Sequence, residues 1–164
     1  SHPYQTVPYD IVKSSQAIFL AELLYKVLKE EESRPELFHF LNNSFQILDL
    51  LQSGVANFHL IFLIQLARYM GFAPTNNYNE NQQFFDMASG NFTGTMPLHQ
   101  SFLEPGESMF FKEFMDIPYE EAGKIKLSAA VRNRLLQRMV EYFSLHLGIR
   151  LQIKSLEILG ELFS

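Results

Sequence analysis

Seven basic side chains gather late in the chain. Arg132, Arg134 and Arg138 fall within Ser128–Gly148, with Lys124 and Lys126 ahead of that stretch and Arg150 and Lys154 behind it. Between Ala122 and Ser155 only Glu141 opposes these seven, a local charge of +6. The other 6 basic and 17 acidic residues sum to −11, so the net charge of −5 is unevenly spread. Guanidinium groups grip carboxylates and phosphates through paired hydrogen bonds, and such a segment suits an anionic partner. It equally suits the solvated face of a long helix. Arg134 and Arg138 stand one helical turn apart, a like-charge pair that destabilises by about 0.3 kcal/mol unless an acid accepts it. Glu141, three residues past Arg138, can offset part of this. Arg132 projects into the middle of an apolar arc. One reading is a side chain that snorkels past the core from the first turn; the other is a guanidinium beside an apolar pocket, suited to a carboxylate that arrives with a hydrophobic side chain.

Other chemistries find little support. His39, His59, His99 and His146 are scattered, and no pair has the i, i+4 spacing of a helical zinc pair. His59 and His146 fit structural roles, His146 bonding a free carbonyl or easing the helix dipole. There is no Cys, no GxSxG elbow and no glycine-rich phosphate cradle. Glu30-Glu31-Glu32 and Glu120-Glu121 read as solvated acids at helix ends or in loops. The basic set lacks interleaved exposed aromatics and the domain is acidic as a whole, which argues against strong nucleic-acid binding by this piece alone.

The elements that must position these groups are mostly helical. Over Ser128–Gly148, Val131, Leu135, Leu136, Met139, Val140, Tyr142, Phe143 and Leu147 share one arc at 100° per residue, with Ser128 as N-cap and Gly148 as terminator. Upstream, residues 1–13 hold two prolines without a clear period and read as a linker. A helix is expected from Ser14 or Ser15 to the Glu30-Glu31-Glu32 run. Ser33-Arg34-Pro35-Glu36 has the form of a capping box with Pro in the first turn and opens a second helix to about Gln52, closed by Ser53-Gly54. A third, from about Ala56 to Met70 before Gly71, is apolar nearly all round and is expected to be the most buried. In residues 72–104, Phe84-Phe85-Asp86-Met87 and Phe92-Thr93 around Ala88-Ser89-Gly90-Asn91 read as a small hairpin that must lean on the helices. A helix resumes near Pro105 and stops before Pro118, a loop or short turn with Lys124 and Lys126 follows, and Ser155 opens a last short helix. Short connections between long helices give the fold class: all-α, a helical bundle with a small β-hairpin or loop insertion.

The 164 residues suit a single domain, and a hydrophobic content of 47% supplies a core. No apolar run reaches a membrane span and no secretory leader opens the chain; with no cysteine, this points to a cytoplasmic protein with no membrane contact. The opening Ser1-His2-Pro3 without Met reads as a fragment, Ser1-His2 as a tag remnant.

Tyr142-Phe143-Ser144-Leu145-His146-Leu147-Gly148, followed by Leu151, Lys154-Ser155-Leu156 and Leu159, resembles the closing segment of the RecO recombination-mediator family: a Tyr, a His four residues on, a Lys-Ser and a final leucine. Tyr69-Met70-Gly71-Phe72 before Pro74 is similar to the helix that precedes the family's zinc region, and Phe85-Asp86 with Gly90 and Phe92 resembles the strand pair within it. The likeness runs over roughly residues 14–162 in the family's element order. It implies the C-terminal helical domain of a bacterial DNA repair protein, with 1–13 leading from an N-terminal OB-fold. That family is not enzymatic. It promotes strand annealing and recombinase loading in the RecF pathway, works with RecR, meets single-stranded DNA mainly through the OB-fold, and grips the acidic C-terminal tail of single-stranded DNA-binding protein, which ends in an apolar residue with a free carboxylate. Many members hold zinc with four cysteines in the stretch matching 72–104. This chain has none, so no zinc is carried over; Phe84, Phe85, Phe92, Phe102 and the Asn-rich turn must hold the region instead.

Arg132, Arg134, Arg138 and Lys154 fit the tail on charge, with Lys124, Lys126 and Arg150 as a secondary basic patch. A different class is a helical regulator whose Phe-rich core hosts a small apolar ligand, which a buried cavity of several hundred Å³ would favour. An enzyme comes third and would need a cleft of convergent polar groups.

Overall fold

The apolar run at 58–70 decides the architecture, because a helix without a polar face must be enclosed by the others. The computed structural model describes residues 3–28 and 34–156. It places α1 at Ile11–Val27, α2 at Pro35–Leu50, α3 at Phe58–Met70, α4 at Pro105–Met115 and α5 at Ala129–Leu147, with β1 at Phe84–Asp86, β2 at Asn91–Thr93 and β3 at Phe102–Leu103 between α3 and α4. Helix α3 is the centre: Phe58, Leu60, Ile61, Phe62, Leu63, Leu66 and Ala67 are fully buried, and α2, α4 and α5 pack around it. Gly71, at φ 95°, ends it in the left-handed conformation a glycine adopts without penalty.

The long late helix forms as its arc requires. Ser128 Oγ accepts the Val131 N–H at 3.2 Å and Gly148 closes the C-terminus. Leu135, Leu136, Met139, Val140, Tyr142 and Phe143 are buried, with Val131 and Leu147 packed at the margin.

Helix α1 begins earlier than Ser14. Asp10 accepts the N–H groups of Val12 and Lys13, so the true cap is an aspartate hidden among prolines. The stretch read as linker is also bound. The Asp49 carboxylate, near the end of α2, accepts the N–H groups of Gln5 (2.8 Å), Thr6 (2.6 Å) and Val7 (2.9 Å), and Lys13 Nζ donates to Thr6 Oγ1 and the Asp49 carbonyl. Helix α2 opens with Pro35 at its first position after Arg34, whose side chain makes no capping bond; Ser33, Glu30, Glu31 and Glu32 lie outside the described residues. So does the helix expected from Ser155, except for Ser155 and Leu156. Residues Tyr119–Lys124, expected as a loop or short turn, wind into a 3-10 helix, as do Val55–Asn57.

The insertion has a third strand. Its order is β2-β1-β3, antiparallel, with Phe85 opposite both Phe92 and Leu103. The fold is therefore mostly helical with a small sheet, rather than strictly all-α. Two residues of strand carry too little alternation to be seen in a sequence. Phe85 and Phe92 are buried against Phe111 of α4, while Phe84 and Phe102 pair edge-on and half-exposed. Asn77 supplies the hydrogen bonds, accepting the Phe92 N–H at 2.7 Å and donating to its carbonyl at 2.9 Å.

Aromatic rings fill the helical core. Phe40 stacks on Phe62 at 5.3 Å, Phe58 on Tyr119 at 4.5 Å, and Phe72 meets Phe143 edge-on at 5.1 Å. Such ring-on-ring packing opposes the small-ligand reading. Among the described residues no helix is long and apolar enough to cross a membrane.

Candidate functional site

The late basic residues face several different neighbours. Arg132 Nε donates to Asn57 Oδ1 at 2.8 Å, and Asn57 Nδ2 in turn donates to the Ala122 and Ile125 carbonyls, tying α5 to the start of α3. Burial pulls the Arg132 guanidinium below its ordinary pKa. Next to it His59 is wholly buried, and burial together with the Arg132 charge drops its pKa to about 3. Arg134 Nη1 lies 3.7 Å from Glu107 Oε1 of α4. Arg138 pairs with Glu141 at 2.7 Å, as their spacing requires, and also donates to the Phe102 carbonyl of β3. Lys124 pairs with Glu121 at 2.6 Å. Lys126, Arg150 and Lys154 are exposed, and the Lys154 N–H is fixed by Glu22 of α1 at 2.7 Å. The side chains of Arg132, Arg134 and Arg138 thus meet Asn57, Glu107 and Glu141 with the Phe102 carbonyl respectively, while that of Lys154 is exposed.

A different surface combines apolar lining with a cation at its edge. Where α1 ends, α2 begins and α3 and α5 end, Val27, Leu28, Leu37, Phe38, Met70 and Leu147 line a groove of about 240 Å³ with Arg34 at its edge. Helix ends meet here: Leu37 and Phe38 sit in the first turn of α2, Met70 and Leu147 at the last residues of their helices. The Arg34 guanidinium donates to the Tyr69 carbonyl and reaches Met70 Sδ at 3.8 Å. Among the described residues no carboxylate lies within ion-pair distance of it. Phe38 is 57% exposed and Tyr69 39%. A second depression continues the groove past Pro35 and Glu36 to Arg68 and Tyr69. Arg68 donates to the Met115 carbonyl at 2.6 Å and lies 3.9 Å from Asp116, both partners being well exposed, so that ion pair is weak. An apolar trough with cations at its edge can seat an apolar side chain while hydrogen-bonding the carboxylate attached to it. The sequence masks this site, because Arg34 reads there as part of a helix-start signal.

The insertion contains no cysteine. His99 Nε2 and Asp86 Oδ1 lie 3.0 Å apart, while His99 Nδ1 accepts the Ser101 N–H. Among the described residues no three His, Cys, Asp or Glu side chains are grouped to hold a metal. His146 has a structural place: its Nε2 lies 2.8 Å from the Met87 carbonyl, and its ring stacks on Phe72 at 5.2 Å.

Comparison with known proteins agrees with the likeness at the C-terminal end. The family model described as recombination protein O C terminal matches residues 8–157. A DNA repair protein RecO of Phocaeicola vulgatus is 42% identical over 164 residues, 99% of this chain and 68% of the relative. One from Bacteroides fragilis is 38% identical over 162 residues, 98% of this chain and 67% of its own length, and one from Porphyromonas gingivalis 33% identical over 156 residues. The chain thus spans about two thirds of these relatives. No solved structure gives a significant match.

Proposed function

The chain belongs to the recombination protein O C-terminal family, and from that premise we propose that it is a non-catalytic interaction module of bacterial DNA repair. In this reading it supports strand annealing and recombinase loading in the RecF pathway, alongside RecR, by holding the acidic tail of single-stranded DNA-binding protein. Single-stranded DNA itself is left to an OB-fold. The seat we favour is the groove at Arg34. The terminal apolar side chain enters between Leu37, Phe38, Met70 and Leu147, Arg34 takes the terminal carboxylate, and Arg68 attracts the acids that precede it.

The observation that carries this reading is the pairing of an apolar groove with an arginine whose known partners are a carbonyl and a sulfur. Arg134 and Arg138 already face internal acids; of the late basic set, Arg132 is the rival anchor that lies beside the apolar core, while Lys154 is exposed.

A titration of a labelled acidic peptide ending in phenylalanine separates the two. Arg34→Glu is expected to weaken binding at least tenfold, the loss of a charge-assisted bond worth about 1.5–3 kcal/mol, and Arg132→Glu to leave the affinity of the folded protein unchanged. Added salt should weaken the wild-type complex. The reverse pattern moves the site to Arg132; no binding by wild type rejects the tail as ligand.

A further inference from the structure

Arg68 belongs to two places. It lines the depression that continues the groove, together with Arg34, Pro35, Glu36, Leu37 and Tyr69. It also reaches the end of α4, where its Nη2 donates to the Met115 carbonyl at 2.6 Å and lies 3.9 Å from Asp116 Oδ1. The other oxygen of Asp116, Oδ2, accepts a hydrogen bond from Asn76 Nδ2 at 2.6 Å, and Asn76 lies in the stretch that leads from α3 into the insertion. That stretch therefore steadies a carboxylate beside the cation that the tail reading assigns to the ligand's acids.

Two arginines, Arg34 and Arg68, are thus matched by two acids, Glu36 in the lining and Asp116 behind Arg68. Glu36 has a reason to be where it is. It sits in the first turn of α2, where the helix dipole favours an acid. Asp116 has the opposite place: it is the C-terminal cap of α4, the end at which an acid is disfavoured. The stability of α4 does not account for it, and Arg68 is the cation that offsets it. The pair is also easily exchanged. Its side chains are 43% and 66% exposed, so water screens it, and 3.9 Å is the outer limit of an ion pair. A guanidinium has five N–H donors, so Arg68 can keep the Met115 carbonyl while it turns another donor from Asp116 to an acid that enters the depression.

We propose that Asp116 is an internal competitor for Arg68: it engages the guanidinium in the free protein and yields it to an acidic side chain of the bound tail, which sets the affinity of the groove below what its two arginines would give. The proposal rests on the tail reading above, and Asp116 is a positioning residue that acts on the ligand only through Arg68. The labelled acidic peptide ending in phenylalanine tests it against wild type, Asp116→Asn, Arg68→Gln and the double variant. Asparagine keeps an oxygen for Asn76 and removes the charge, so the circular dichroism spectrum should not change. Asp116→Asn should bind the peptide about two- to fivefold more tightly, the range over which exposed ion pairs couple. In the Arg68→Gln background the same substitution should have no measurable effect. The gain should also vanish for a peptide whose acidic side chains are replaced by amides, a comparison that leaves Arg68 untouched. Unchanged or weaker binding by Asp116→Asn overturns the proposal, weaker binding meaning that Asp116 holds Arg68 ready for the ligand. A gain that persists without Arg68 or with the amide peptide also overturns it, because net charge alone then explains the effect. Failure of the tail reading is distinct: a wild type that does not bind, or binds equally well as Arg34→Glu, overturns both, whereas binding that needs Arg34 and ignores Asp116 overturns this proposal alone.

Discussion

Replacing Asp49 by Asn should cost the protein its acid-sensitive clamp on residues 5–7. The carboxylate is 5% exposed and accepts three backbone N–H groups, from Gln5, Thr6 and Val7, with the Thr6 hydroxyl at 3.2 Å as a fourth donor. Burial by itself would raise its pKa, but the donated hydrogen bonds prevail and bring it from the ordinary 3.8 down to about 2. A depression of that size corresponds to roughly 2 kcal/mol favouring the folded state. The sign follows from the unfolded chain binding the proton more readily. The stability is fully present above about pH 4 and is lost as the pH falls toward 2. Asparagine keeps one acceptor but turns an NH₂ toward backbone donors, so Asp49→Asn should lose about 2 kcal/mol at pH 7, a fall in Tm of roughly 4–8 °C for a domain of this size. Urea denaturation at pH 7 and at pH 3 measures it: the gap between wild type and variant should shrink at the lower pH, and amide exchange at Gln5, Thr6 and Val7 should quicken in the variant. A variant as stable as wild type at pH 7, or a gap independent of pH, would refute the reasoning.

Three further outcomes follow from the same physics. His59, neutral in the fold with a pKa of about 3, takes up a proton only on unfolding; between pH 6.5 and 4.5 the wild type should lose up to about 1.4 kcal/mol per pH unit more than His59→Leu, as read from paired urea curves. Gly54→Ala should cost about 3 kcal/mol in chemical denaturation, because φ is +71° and a Cβ there would sit 2.4 Å from the Gly123 backbone nitrogen. Glu22→Gln should loosen residues 152–155 from α1, since that carboxylate accepts the Lys154 and Ser155 N–H groups and the Ser155 hydroxyl; amide exchange at Ser155 should rise at least tenfold while α3 amides stay protected.

What the sequence reveals and conceals here has physical reasons. The arc of α5, its caps at Ser128 and Gly148, and the all-apolar α3 are legible because packing and local chemistry point the same way. The Arg138–Glu141 pair is visible because helical spacing alone fixes it. The start of α1 is concealed because Asp10 caps it from within a proline-bearing stretch, and the bonds from Asp49 to residues 5–7 span more than forty residues, beyond any local pattern. Strand β3 is too short to show a period. The groove at Arg34 is hidden for a different reason: its lining comes from four helices that no spacing rule brings together, whereas a run of like charges on one helix attracts attention although its three arginines face different neighbours.

The seat of the acidic tail is tested most directly by amide chemical-shift mapping of the isotope-labelled chain as that peptide is added. The account predicts that the shifts concentrate on Leu28, Arg34, Leu37, Phe38, Met70 and Leu147, around the groove. Shifts centred instead on Asn57, Arg132 and Arg138, or none at saturating peptide, would contradict it.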